Sequence, residues 1–161
     1  MKVRFLLLSS VIAAALFIAS PRVIAAGATT KTVSLEDRLS IVQPKDSGQW
    51  KSNDLTVEYS YVKDQGQINL SGTVRFASYL VLGYGHLDIF RLGAVFVDEN
   101  GKVVQEVGLT TDRDSFDPIS FKQKINLPSN AVGIAFTYQG KATSGGGMGA
   151  GPISFTFYPM R

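Results

Sequence analysis

The sequence predicts an all-β fold, an antiparallel sandwich of about seven to eight strands. Apolar and polar residues alternate with a period of two along most of the chain, and Gly, Pro, Asn and Asp residues separate the alternating runs at short intervals. No long stretch has the periodicity of an amphipathic helix. A small β-barrel is the alternative architecture that this pattern allows.

The first element, residues 32–42, is ambiguous. Its apolar residues fit a strand interrupted by Asp37, but Leu35, Leu39 and Val42 also fit one face of a short helix. The spacing of the apolar residues therefore does not decide between a strand and a short helix. The first clear strand comes later, in residues 55–61.

A hairpin joins the run at residues 55–61 to a second alternating run at residues 68–76, with its turn at Gly66. A short additional strand is predicted at residues 79–82. Both runs alternate between apolar and polar residues, which is typical of strands with one buried face.

A second hairpin joins residues 89–97 to residues 103–109 through Asn100-Gly101, the strongest hairpin signal in the chain. Two further runs, residues 119–127 and 132–138, are predicted as the next strand pair. A turn at residues 128–130 separates them.

The last strand is predicted at residues 153–158, after a glycine-rich segment at residues 144–151 that we interpret as a flexible loop. Residues 92–97 and 131–136 are apolar on both faces. A two-layer sandwich whose outer side is covered by loops accommodates such strands, so this feature favours the sandwich over the barrel.

Residues 1–25 have the pattern of a secretory signal peptide. Lys2 and Arg4 precede an apolar run at residues 5–18, and Pro21 precedes the small residue Ala25, after which cleavage is expected. An uncleaved membrane anchor is the alternative, but the run spans only about 21 Å of a bilayer core of about 30 Å. Residues 26–161 are then one domain, exported to the periplasm or the extracellular space.

The charge balance argues against a nucleic-acid partner. The chain has 16 Lys and Arg residues against 13 Asp and Glu residues. Three of the basic residues and no acidic residue lie in the signal peptide, so the domain is neutral and lacks the excess charge that drives such binding. The chain also has no cysteine, which excludes a lipid anchor on cysteine, disulfides and thiolate chemistry.

Three residues are candidate ligand contacts. His86 is the single histidine, and no nucleophile-elbow or zinc-protease motif accompanies it, although Asp88 and a serine could complete a triad. Trp50 and Tyr84 lie outside the clear strands. Their rings could stack on a sugar or cap the open end of the core.

Asp112, Asp114 and Asp117 are candidate metal ligands. Alternate carboxylates in a tight loop can converge on Ca²⁺, but the same residues are common in solvated turns, and the glycine of a helix-loop-helix calcium site is missing. Asp98 and Glu99 could contribute only if their loop lies at the same end of the sandwich. No cofactor is expected.

These observations favour a non-enzymatic binding module that acts within a cell-envelope assembly. Its partner is expected to be a protein or another envelope component, with a carbohydrate as a further option. The alternatives are a small secreted hydrolase or carbohydrate-active protein that uses His86 or the three aspartates, and a small outer-membrane barrel. Against the barrel, residues 89–97 and 131–136 offer few polar side chains for a lumen.

Overall fold

A computed structural model of the chain describes residues 31–144 and 151–160. Over these residues the chain forms two antiparallel sheets that pack face to face and are not closed into a barrel, which confirms the predicted all-β sandwich. The predicted signal peptide at residues 1–25 and most of the glycine-rich segment at residues 144–151 lie outside the described residues.

The described strands follow one another from β1 to β9, and one short helix lies between β4 and β5. In chain order the elements are β1 (Leu39–Ser40), β2 (Lys45–Lys51), β3 (Leu55–Asp64), β4 (Gln67–Phe76), α1 (Ser78–Gly83), β5 (His86–Val97), β6 (Val103–Asp114), β7 (Ile119–Asn126), β8 (Gly133–Thr143) and β9 (Ile153–Phe157).

One sheet contains five strands and the other contains four. In the five-stranded sheet, β5 and β8 are central, β6 flanks β5, and β1 and β9 pair with different halves of the other side of β8. The four-stranded sheet has the order β2-β3-β4-β7. All of these pairs are antiparallel.

Both predicted hairpins are present, and local backbone geometry explains them. In the turn between β3 and β4, Gln65 has φ of 45° and Gly66 has φ of 77°, the positive values that a two-residue turn matching the strand twist requires. Gly101 has φ of 78° in the turn between β5 and β6. The short turns fix the register of these strands.

Three features differ from the sequence prediction, and one that the sequence left open is decided. The strands predicted at residues 119–127 and 132–138 do not pair with each other, because β7 and β8 lie in different sheets. Residues 79–82, predicted as a strand, belong to α1. The polar strand β2 was not predicted. Residues 32–42, for which the sequence left a strand and a short helix open, contain a 3₁₀ turn at Leu35–Asp37 followed by β1.

The main core lies between the two sheets and is rich in aromatic side chains. Phe90, Phe96 and Phe136 are fully buried there, together with aliphatic side chains from both sheets. Close packing of these side chains holds the sandwich together without cysteine, because burial of apolar area is the dominant favourable term in folding.

A second, smaller apolar cluster lies on the outer side of the five-stranded sheet. Val95, Val97 and Ala135 face outward and are buried beneath Val33 of the N-terminal segment, with Met160 packed against them. These contacts explain how strands that are apolar on both faces are accommodated, as the sequence predicts.

Hydrogen bonds from Arg38 hold the N-terminal segment that carries Val33 against the sheet. Its Nε and Nη2 atoms donate to the Val33 carbonyl oxygen at 2.9 and 2.6 Å, and Nη2 also donates to the carbonyl oxygen of Asn100 at 3.3 Å. The Val33 N–H donates to the Gly101 carbonyl oxygen at 2.9 Å. The N-terminal segment is therefore tied to the turn between β5 and β6.

Within residues 31–144 and 151–160, no helix has the length and apolar character needed to span a bilayer.

Candidate functional site

Most of the residues that the sequence singled out lie near one end of the sandwich. His86 begins β5 and pairs with Thr143 at the end of β8, and Asp114 at the end of β6 pairs with Leu87. Tyr84 follows α1 directly. The strand ends therefore bring these residues to the same end of the five-stranded sheet.

His86 lies at the surface. Its side chain is half exposed, and Nε2 lies 3.8 Å from Oδ1 of Asp88. The same Asp88 oxygen accepts a hydrogen bond from Thr143 Oγ1 at 3.0 Å. Among the described residues no serine hydroxyl is hydrogen-bonded to His86, so the side chains around it do not form a nucleophile, base and acid array.

The three aspartates do not converge on one point. Asp112 Oδ1 accepts from the Arg113 N–H at 2.7 Å, and Asp117 Oδ2 accepts from Ser115 Oγ at 2.9 Å, while Asp114 has φ of 79°. In the part of the chain that the structure describes, no group of three or more His, Asp or Glu side chains is arranged to hold a metal ion.

Asp98 and Glu99 lie at the far end of β5, in the turn that leads to β6. Asp98 Oδ1 accepts the backbone N–H groups of Asn100 and Lys102 at 3.0 and 2.9 Å. The two acidic loops are therefore separated by the length of the strand. They cannot supply ligands to one ion.

Trp50 packs in the core rather than at the surface. It is 8% exposed, and its ring centroid lies 5.1 Å from that of Phe157, 5.7 Å from that of Phe136 and 6.2 Å from that of Tyr138. Tyr84 is partly buried against the same core. Of the two roles that the sequence left open for these rings, the contacts of Trp50 are those of a ring that closes the core.

A polar network around the buried Tyr138 at this end was not predicted. The Tyr138 hydroxyl, on a side chain that is 3% exposed, lies 2.6 Å from Asp54 Oδ2 and 2.9 Å from Ser52 Oγ, and the Tyr79 hydroxyl also donates to Asp54. Burial, reinforced by the Asp54 carboxylate, raises the pKa of Tyr138 and raises the pKa of Tyr79 to about 12. The network joins α1 and the turn between β2 and β3 to the central strand β8.

The outer face of the five-stranded sheet carries a depression of about 280 Å³. Leu92 and Ala94 point into the core, so Gly93 between them faces outward, and it pairs with Gly108 of β6. Thr137 of β8 pairs with Gly93 on the other side. We call this depression, with its floor at Gly93 and Gly108, the glycine trough.

The two glycines of the trough differ in the space around them. A Cβ atom at Gly93 would lie 2.8 Å from Thr137 Oγ1, whereas a Cβ atom at Gly108 would have no atom within 4 Å. Neither glycine has a positive φ. The trough is therefore open above Gly108, and a side chain there would project into it.

Polar side chains line the trough. Arg91 pairs with Gln139 along one side, and the Tyr158 hydroxyl donates to Gln139 Oε1 at 3.2 Å. Glu106 lies on the other side and accepts a hydrogen bond from Lys31 at 3.2 Å. The Tyr158 side chain is 54% exposed, so much of its ring is open to solvent.

The charged side chain at the trough that has no ion-pair partner in the part of the chain that the structure describes is the basic Arg91. The Arg91 side chain forms no hydrogen bond or ion pair with any residue in 31–144 or 151–160. Glu106 is paired with Lys31, and the exposed Lys141 lies two residues beyond Gln139 on the same face of β8. The Arg91 guanidinium, which has no partner among the described residues, can therefore bind a ligand in the depression.

Sequence reasoning did not find the trough. Its residues come from three strands and the segment after β9, and each one alone resembles an ordinary surface residue. No protein-family model, curated protein or solved structure gave a significant match to this chain. Function is therefore inferred from the side chains themselves.

Proposed function

We propose that the protein is an exported, non-enzymatic binding module of the cell envelope, and that the glycine trough is its ligand surface. The observation that carries the proposal is the open depression above Gly108 with the unpaired guanidinium of Arg91 beside it. Concave sites with a few well-placed polar groups are typical of ligand binding.

The position of the trough in the fold supports the same function. Its residues project from β5, β6 and β8, and β5 and β8 are paired on both sides within the sheet. Side chains on paired strands are held in fixed relative positions, which lowers the entropic cost of binding. The signal-peptide pattern at residues 1–25 supports export, and a partner in the envelope follows from that location.

The composition of the trough favours binding over hydrolysis. Hydrolases of the common classes use a nucleophile with a base, or two carboxyl groups placed on either side of the bond that breaks. The trough offers one carboxylate, Glu106, and Lys31 engages it. The remaining polar groups, from Arg91, Thr137, Gln139 and Tyr158, are suited to hydrogen bonding.

A co-sedimentation assay tests this proposal. Purified protein comprising residues 26–161 is mixed with isolated cell envelopes, and the bound fraction is measured against protein concentration. We expect saturable binding, and we expect Gly108→Trp to weaken it at least about tenfold because the indole fills the trough. Gly83→Trp is the matched control, since Gly83 also has no atom within 4 Å of a Cβ position and lies in α1, away from the trough.

His86→Ala serves as a second control and is expected to bind like the wild type. Absence of saturable binding by the wild type would contradict the proposal, as would unchanged binding by Gly108→Trp. Cleavage of envelope material that disappears in His86→Ala would instead support the hydrolase alternative. Thermal melting of each variant checks that its fold is retained.

A further inference from the structure

We propose that the ligand of the glycine trough is an acidic saccharide, with one sugar ring lying over Gly93 and Gly108 and its anionic group on Arg91. The inference rests on the proposed function, because it names the chemistry of the ligand that the same surface binds. Three features carry it: an exposed aromatic ring, planar hydrogen-bonding side chains and an unpaired guanidinium.

The aromatic ring is that of Tyr158, which is 54% exposed and lines the depression. It directly follows Phe157, the β9 residue that pairs with Tyr138 next to Thr137. Its hydroxyl is held by Gln139, so the ring is oriented without being covered. The face of an aromatic ring is weakly negative and matches the C–H-rich face of a pyranose. A sugar ring in the trough can contact it edge to edge or face to face.

The polar side chains suit a polyol. Gln139 offers an amide with donors and acceptors, and Thr137 offers a hydroxyl that both donates and accepts. Both belong to β8, two residues apart, so their side chains lie on the same face of the strand about 7 Å apart. Two side chains at this spacing can reach hydroxyl groups on opposite sides of one pyranose ring or on two linked rings.

The guanidinium of Arg91 selects for an anion. A planar guanidinium binds a carboxylate through two parallel hydrogen bonds, and Arg91 forms no ion pair with an acidic side chain among the described residues. Glu106, the acid on the other side of the trough, is engaged by Lys31 at 3.2 Å. The exposed Lys141 adds a second positive charge on the same face.

An extended peptide fits this surface less well than a saccharide. Peptides that add to sheets bind through unpaired backbone groups at an edge strand, whereas the trough lies on β5, which pairs with β6 and β8 on its two sides. A ligand here must find side-chain partners. The volume of about 280 Å³ lies just below the range of about 300–1,000 Å³ that is typical of small-molecule sites, which suits a ligand of one or two sugar rings.

Titration calorimetry with two matched oligosaccharides tests the inference. One probe is a trisaccharide of hexuronic acid residues, and the other is the neutral hexose trisaccharide with the same linkages. We expect the wild type to bind the acidic probe at least about tenfold more tightly, a difference of the size expected for one charge-assisted contact. Arg91→Ala should weaken binding of the acidic probe at least about tenfold and should weaken binding of the neutral probe much less, so that the preference for the acidic probe falls.

Two substitutions at one position separate the roles of the ring and the hydroxyl. Tyr158→Ala should weaken binding of both probes at least about tenfold, while Tyr158→Phe keeps the ring and should stay within about threefold of the wild type. Gly108→Trp should abolish binding, and Gly83→Trp should not. Melting temperatures confirm that each variant is folded.

The outcomes distinguish this inference from the proposed function. If neither probe binds while Gly108→Trp still abolishes envelope co-sedimentation, the saccharide is overturned and the binding surface stands. If both experiments fail, both proposals are overturned. Equal affinity for the two probes that Arg91→Ala leaves unchanged would overturn the acidic character of the ligand.

Discussion

The outer face of the five-stranded sheet has two halves that differ in what covers them. In one half, Val95, Val97 and Ala135 point outward and are buried beneath Val33 and Met160. In the other half, most outward positions carry glycine or polar side chains, and much of the surface is open. The same strands, β5 and β8, run through both halves.

The difference follows from the cost of leaving each kind of surface in water. Burial of apolar surface stabilises the folded protein by about 25 cal/mol for each Å² removed from water. Covering the apolar half with the segments that carry Val33 and Met160 is therefore favourable. Glycines and hydrogen-bonding side chains carry little such penalty. That half needs no cover and stays available to a ligand.

Of the substitutions proposed here, a charged residue in the covered half should lower the free energy of unfolding most. Val33 is 2% exposed within an apolar cluster, so Val33→Asp buries a carboxylate with no designed partner and should lower the free energy of unfolding by about 3 kcal/mol or more. Thr111→Asp is the matched control, because Thr111 is exposed on the open half opposite Arg91. It should change stability by no more than about 0.5 kcal/mol.

Urea denaturation of the two variants measures the contrast. Equal loss of stability in Val33→Asp and Thr111→Asp would mean that the N-terminal segment does not cover the sheet as described.

Removal of one tyrosine hydroxyl should lower the free energy of unfolding by less than Val33→Asp does, and by an amount that depends on how buried the hydroxyl is. Tyr138→Phe deletes the donor to the partly buried Asp54 and should lower the free energy of unfolding by about 2 kcal/mol, because a buried hydroxyl loses its hydrogen bond to a charged group. Tyr158→Phe deletes a surface hydrogen bond on the open half and should cost no more than about 0.5 kcal/mol. Similar values for the two variants in urea denaturation would contradict the network at Asp54.

The same network predicts an alkaline loss of stability. The pKa of Tyr79 is raised from 10.0 to about 12 and that of Tyr138 is raised further, by burial first and by Asp54 second. Above pH 10 the unfolded chain releases these protons while the folded protein retains them. The stability that the raised pKa values contribute is therefore full below pH 10 and declines as pH rises toward 12.

Denaturation at a series of pH values measures this decline. Tyr138→Phe should reduce the slope between pH 10 and 12, since one of the titrating groups is gone. A stability that is constant over that interval in the wild type would contradict the raised pKa values.

Local signals made much of the fold predictable. Gly66 and the pair Asn100-Gly101 mark turns whose backbone geometry their own residues determine, so both hairpins follow from the sequence. The sheet that a strand joins is decided by distant contacts. Alternation in residues 119–127 and 132–138 therefore identified strands but not that they lie in opposite sheets.

Short or polar elements were missed for physical reasons. Helix α1 has six residues, fewer than two turns, and buries only Leu80, so its periodicity cannot be distinguished from that of a strand. Strand β2 buries only Trp50, and its other residues are exposed. Strand β2 is identified only by its backbone pairing with β3. Its sequence lacks the alternation of apolar and polar residues from which a strand is predicted.

The candidate site was less predictable than the fold. His86 and the aspartates attracted attention because their side chains carry recognisable chemistry, and the sequence placed them without their three-dimensional neighbours. Gly93 and Gly108 become adjacent only through the register of β5 and β6, which shifts at Leu92. A depression whose floor has no side chains leaves no pattern in a single sequence.

The claim that the glycine trough is the ligand surface is tested most directly by amide chemical-shift mapping. Isotope-labelled protein comprising residues 26–161 is titrated with the hexuronic acid trisaccharide. The predicted result is a set of saturable shifts centred on Arg91, Gly93, Gly108, Gln139 and Tyr158. Saturable shifts centred instead on α1, Tyr84 and His86 at the end of the sandwich would contradict it, whereas the absence of saturable shifts would contradict only the acidic saccharide as the ligand.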